Sequence, residues 1–189
     1  MAFLQIKKRL KGLCLFTIAL SATVVADEMI MENFESNPEQ RWSYVSDQVM
    51  GGVSTGQVVY AQQGDVSYAH MTGSVSTENN GGFIQLRSNI AKGTTAQVSG
   101  VTLRVRGVPQ RYFVHLRTRG TVLPWQYYQA SFDIDEQWQT IRLPLSDFER
   151  SGKWLGAAIT PSSIRSIGVV AFGRDHTADI QISEVGFYN

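Results

Sequence analysis

The 189-residue chain reads as an all-β, jelly-roll sandwich of antiparallel strands. Three observations point there. First, two stretches alternate cleanly. In 100–107, Val101, Leu103 and Val105 oppose Thr102, Arg104 and Arg106; in 111–119, Tyr112, Val114 and Leu116 oppose Phe113, His115, Arg117 and Arg119. A period of two with one apolar side is that of half-buried strands. Second, short β-type runs recur between clusters of Gly, Pro, Asn and Ser, the spacing of a sandwich or jelly roll. Third, no stretch after residue 26 holds a helical apolar period over three turns, which argues against α/β and helical architectures.

The N-terminus is a separate element. Lys7, Lys8, Arg9 and Lys11 precede an apolar run at 13–20, and Val24-Val25-Ala26 puts compact residues before Asp27. This is the pattern of a secretory signal peptide, and the apolar run is too short to span a bilayer comfortably. It predicts an exported, periplasmic protein, with a mitochondrial transit peptide or an uncleaved N-terminal anchor as alternatives. One compact basic cluster ahead of a continuous apolar block favours the first. Cleavage leaves one domain, 27–189, of 189 − 26 = 163 residues. It removes four of 17 basic residues and none of 16 acids, so the balance becomes 13 − 16 = −3 with His neutral. Neither bulk charge nor the expected compartment suits a nucleic-acid partner. The sole cysteine, Cys14, lies in the leader, so the domain must be held by its core. A chain of this size buries roughly 70% of its unfolded surface, enough without staples.

The strands follow in order. Runs at 29–34 and 42–45 flank the Asn37-Pro38 turn; 57–60 and 66–71 flank Gln63-Gly64-Asp65 as a hairpin. A strand at 83–87 comes next, then the two alternating stretches, then 125–134. The run 138–143 ends at Pro144, which lacks a ladder donor. Strands at 164–172 and 179–188 complete the set, the last expected to neighbour the first.

The most distinctive residues are W-S-Y-V-S-D-Q-V-M-G-G-V-S-T-G at 42–56 and E-N-N-G-G-F-I-Q-L-R at 78–87. Each Gly-Gly marks a turn or bulge feeding a strand. With the blocks at 128–148 and 164–173, these stretches resemble the complex I intermediate-associated protein 30 family over nearly the whole chain after Ala26. The resemblance implies a galactose-binding-like sandwich and the chaperone-like role in complex I assembly that mitochondrial relatives have. The leader departs from that setting, because most complex I assembly lies on the other side of the exporting membrane.

Catalytic signals are sparse. Gly52-Val53-Ser54-Thr55-Gly56 matches G-x-S-x-G, but a nucleophile elbow needs a helix after the serine; the stretch reads as a turn entering a strand. No spacing among the acids fixes a carboxylate pair for glycoside hydrolysis. Asp47 reads as an acceptor for nearby loop N–H groups. His70, His115 and His176 are dispersed, unlike zinc ligands. Galactose-binding-like sandwiches often carry a structural calcium near the chain ends, for which Glu32 and Glu184 would supply carboxylates. No ligand loop supports it, and no metal or cofactor is assigned. Trp42 and Trp138 read as packing, Trp125 and Trp154 as exposed.

The candidate binding face depends on pairing. If 100–107 and 111–119 are neighbours, their polar sides join into a surface with five arginines and no acid. Arg87 joins from 83–87, and Tyr127 or Tyr128 from the next strand. Guanidinium forks beside aromatics suit carboxylates, sugars or an acidic protein edge. The candidate residues are Asp47, Met50, Gly51 and Gly52 of the first Gly-Gly stretch; Glu78, Asn79 and Asn80 of the second; and Arg87, Arg104, Arg106, His115, Arg117 and Tyr128 of the face. The resulting reading is a non-catalytic module contacting protein partners, such as a membrane complex, outside the cytoplasm. A carbohydrate-binding module is the alternative, and a hydrolase ranks third for want of a catalytic set.

Overall fold

Alternation along the chain becomes strands in a computed structural model that describes residues 27–189. The expected signal segment lies outside the described residues. In chain order the strands are β1 (Glu28–Glu32), β2 (Trp42–Ser46), β3 (Thr55–Gln63), β4 (Val66–Val75), β5 (Phe83–Asn89) and β6 (Gly100–Gly107). They continue as β7 (Arg111–Thr118), β8 (Tyr128–Asp133), β9 (Gln139–Pro144), β10 (Glu149–Arg150), β11 (Ile164–Phe172) and β12 (His176–Tyr188). Helical structure among the described residues is limited to single 3-10 turns, including Asp47–Met50 and Glu78–Asn80. No helix among them is long and apolar enough to cross a membrane.

The strands form two six-stranded sheets. The first runs β3-β4-β12-β6-β9, with β1 paired to β12; the second runs β10-β8-β7-β11-β5-β2. All pairings are antiparallel. This is the jelly-roll sandwich predicted from the alternation. β3 and β4 form the expected hairpin, and β1 pairs with β12 from Glu28↔Tyr188. The inward rows build one core: Ala178, Ile180 and Ile182 of β12, Val101, Leu103 and Val105 of β6, and Tyr112, Val114 and Leu116 of β7 are all buried. A register shift between Ile182 and Glu184 lets β12 keep Val185 and Phe187 inward as well, as a β-bulge does.

One expectation fails. β6 and β7 do not pair: β6 lies between β12 and β9, and β7 between β8 and β11. Two half-buried strands joined by a short link can share a sheet or face each other across the core. Here both apolar rows face the core from opposite sheets, so the two polar rows point away from each other. Tyr112 ties the sheets together. Its buried hydroxyl accepts the Asp179 N–H of β12 at 2.8 Å and the Gln110 amide at 2.8 Å. Burial pushes the phenol up to about 12.

Candidate functional site

The outer face of the second sheet carries a cleft of about 330 Å³, within the size range of small-ligand sites. Its floor comes from strand periodicity. Arg87 of β5, Gly168 of β11 and His115 of β7 stand in one cross-strand row. Gln85, Ser166 and Arg117 add to the floor, and Phe83 and Phe172 supply rings. One wall is Val45, Val49 and Met50 with Asn80 and Gly81; the other is Pro124, Trp125 and Tyr127.

Asp47 holds the first wall. Its side chain is fully buried. The carboxylate accepts the Gly82 N–H at 2.6 Å, the Phe83 N–H at 3.2 Å, the Ser54 N–H at 3.0 Å and the Ser54 hydroxyl. The two Gly-Gly stretches therefore converge on one carboxylate. The glycines are there for space: a Cβ on Gly52 would overlap the Asp47 carboxyl group, and one on Gly81 would stand 2.5 Å from its Oδ2. Asn79 and Asn80 take left-handed backbone, with φ of 56° and 57°, a conformation asparagine tolerates. Burial pushes the Asp47 pKa up, but the hydrogen bonds from Gly82, Ser54 and Phe83 outweigh it and hold the carboxyl below its ordinary range. Ser54 is buried against Asp47, donates to it, and accepts the Ser76 N–H at 3.0 Å. No helix follows it, so G-x-S-x-G is here a structural turn.

The aromatic side is a stacked cluster. His115 and Tyr127 lie 4.0 Å apart and nearly parallel at 9°. Phe172 meets both edge-on, at 5.3 and 6.1 Å. Burial pushes His115 down to about 3, and the neighbouring Gln129 amide only partly offsets it. His115 is thus neutral at physiological pH, and its Nε2 is buried without a hydrogen-bond partner. A histidine whose folded pKa lies below its unfolded value of about 6.5 destabilises the fold as pH falls through that value, because only the unfolded chain takes the proton. Stability should therefore drop by up to about 1.4 kcal/mol per pH unit below that point. Denaturant melts of wild type and His115→Gln across this window test it; parallel curves would mean that the folded state protonates His115 normally. His176 shifts in the same direction and is common to both proteins.

All the charge in the polar lining is positive, from Arg87 and Arg117. Arg117 donates through Nη2 to the Leu123 carbonyl at 2.9 Å, and its Nε is buried without a partner. Burial, then the charges of Arg165 and Arg87, lower its pKa. Among the described residues the acid-base pairs are Arg41–Glu32, His70–Asp179, Arg111–Asp133 and Arg142–Glu28. None includes Arg87, Arg117 or Arg165, and no Asp or Glu lines the cleft. The carboxylate pair that glycoside hydrolysis needs is not supplied by these residues.

Of the candidate residues, the fold gathers Met50, Asn80, Arg87, His115 and Arg117 at the cleft. Asp47, Gly51 and Gly52 shape its wall from behind, and Glu78 and Asn79 lie exposed in the adjoining turn. Three positions are corrected. Arg104 and Arg106 belong to β6 and sit on the opposite sheet, over the Trp138 ring at 5.2 and 4.6 Å. Trp138 is accordingly a partly exposed platform for these cations and not core. Tyr128 points inward, its hydroxyl donating to the Gly156 carbonyl at 3.0 Å; Tyr127 faces the cleft instead, since alternate residues of a strand take opposite faces. The calcium expectation also meets other chemistry. Glu32 is buried and receives Arg41, the Trp42 indole N–H and the Phe34 N–H, so its oxygens are already used. Sequence reasoning missed much of the lining, including Val49, Phe83, Gln85, Ser166, Gly168 and Phe172. Gly168 carried a local signal, a glycine inside an apolar strand, which marks close approach of a ligand or chain. Trp125 and Trp154 are exposed as expected, at 62% and 93%, and flank a second hollow beside the cleft.

The family model described as Complex I intermediate-associated protein 30 (CIA30) matches residues 32–183. The chain belongs to this family. The match includes both Gly-Gly stretches of this CIA30 domain and ends within β12. No curated protein matches the sequence. Among solved structures, the CIA30 domain is similar to the family 11 carbohydrate-binding module of the cellulosomal cellulase Lic26A-Cel5E of Clostridium thermocellum. The TM-score is 0.69 at 14% identity, covering 86% of this chain and 95% of that one. The family 11 module from the same organism in complex with a β-1,3-1,4-mixed-linked tetrasaccharide gives 0.68 at 14%, covering 87% and 96%. The agarase AgWH50C gives 0.59 at 9%, over 86% of this chain and 24% of that one. At such identities the likeness is one of fold.

Proposed function

We propose that this protein is a non-catalytic saccharide-binding module, exported by its N-terminal segment, and that the cleft on the second sheet is its site. The observation that carries this is the lining itself. Exposed or partly exposed rings of Trp125, Tyr127, Phe83 and Phe172 surround polar groups of Gln85, Arg87, His115 and Arg117. Rings stack on the C–H faces of sugars while fixed polar groups address the hydroxyls. The fold shared with carbohydrate-binding modules over nearly their full length supports the reading. A glycan array followed by calorimetry tests it. Trp125→Ala should weaken binding by about 1 kcal/mol without changing the melting temperature; Tyr127→Ala should weaken it by a similar amount and also lower the melting temperature, since it removes the ring stacked on His115. Unchanged affinity in both variants would reject this cleft.

Family membership favours a second reading, a chaperone-like contact with protein partners. The exposed apolar side chains of Val49, Met50 and Val122 beside the cleft are compatible with it. Crosslinking in the native host separates the two: partners from one membrane complex, lost in Val49→Asp with Met50→Asp, would favour assembly.

A further inference from the structure

We propose that the saccharide is acidic and that a sugar carboxylate sits between Arg87 and Arg117; this rests on the saccharide reading and narrows it. The charge distribution points there. Arg87 and Arg117 both line the cleft, and Arg165 lies near enough for its charge to act on Arg117. No acidic residue lines the cleft, and none of the three guanidinium groups joins an ion pair among the described residues. Like charges gathered on one face repel. A bound anion relieves that repulsion, whereas a neutral sugar leaves it in place.

The donors share one floor, Arg87 opposite Gly168 and Arg117 opposite Ser166. Arg117 is anchored through Nη2 to the Leu123 carbonyl, while its buried Nε has no partner. Arg87 stands on the same cross-strand row as His115, separated by Gly168, which adds no side chain between them. A carboxylate bridging Arg87 and Arg117 would place the rest of the sugar beside His115, which also lines the cleft. Its neutral imidazole adds no further charge to the two guanidinium groups. The ring-lined walls favour a pyranose over a flexible acidic peptide, which would leave the rings uncovered. A uronate, with its carboxylate on a stackable ring, meets both demands.

Calorimetry on the full-length mature protein tests this with matched probes. The probes are C6-oxidised cello-oligosaccharide and α-1,4-oligogalacturonate, each beside its carboxyl-reduced counterpart, and hexaglutamate as a peptide control. The expected result is that at least one oligouronate binds about tenfold or more tighter than its neutral counterpart. That advantage should shrink as salt is raised and vanish in Arg87→Gln and Arg117→Gln, with unchanged melting temperatures. Equal affinity for the neutral chains, or an advantage that survives both substitutions, overturns the acidic assignment while leaving the saccharide site standing. Hexaglutamate binding as tightly as the best uronate overturns it in favour of an acidic peptide. Binding of none of these saccharides, nor of any glycan on the array, removes the saccharide reading itself.

Discussion

Asp47→Ala is expected to lower the stability of the domain by about 3 kcal/mol and to abolish ligand binding with it. The magnitude comes from hydrogen bonds to a buried charge, worth about 1.5–3 kcal/mol each, partly recovered when loops relax towards water. Three backbone N–H groups and the Ser54 hydroxyl lose their acceptor together. For a domain of this size, that is a fall of about 10 °C in the melting temperature. Binding follows because the 3-10 turn bearing Val49 and Met50, and the turn bearing Asn80, are both tied to this carboxylate. Gly81→Ala should act in the same direction, since its Cβ would press on Asp47 Oδ2. The pH dependence has a definite sign. The folded pKa lies below the unfolded value of about 3.9, so the contribution is fully present above it and is lost as pH falls through the folded value. Acid melts of wild type and Asp47→Asn should therefore converge at low pH. A variant that melts with wild type at neutral pH would show that the two loops are held by something else.

Gly168→Val is expected to do the opposite: binding lost, fold kept. The position is in mid-strand, flanked by Arg87 and His115, and its φ is not in the left-handed region. A Cβ there meets the Gln85 Oε1 at 3.0 Å, and the next atoms lie at 3.6 Å or beyond. The close atom is the end of a flexible side chain, so the neighbour can turn aside. Valine also suits a strand better than glycine does, by up to about 1 kcal/mol. Its methyl groups, however, rise from the floor between the two residues assigned to the ligand. Affinity should fall about tenfold or more, that is by about 1.4 kcal/mol or more, with an unchanged or slightly raised melting temperature. Retained binding in a well-folded Gly168→Val protein would place the ligand elsewhere. The hollow between Trp125 and Trp154 would then be the next surface to test.

Part of this site is legible in the sequence. Asp47 and the two Gly-Gly stretches stood out by residue type, and Arg87, His115 and Arg117 by their polar strand positions. The errors share one origin. Arg104 and Arg106 have the same local pattern as Arg117, an outward residue on an alternating strand, yet they lie on the other sheet. Tyr127 and Tyr128 differ by one position, and a one-residue change of phase exchanges core for cleft. Phe172 and Val49 reach the cleft only because β11 lies between β5 and β7 and the turn after β2 folds over the sheet edge.

Sequence alone determined the all-β class, the course of the strands, which side of β6 and β7 is apolar, and the family. These follow from periods of two, turn residues and ordered blocks, all properties of neighbours along the chain. The tertiary structure decided which polar rows share a surface, that one buried carboxylate joins two stretches 35 residues apart, and that a glycine forms the floor of a cleft. Those depend on pairing between strands distant in sequence, where burial of the inward rows selects the partner and the outward rows are carried wherever that choice takes them.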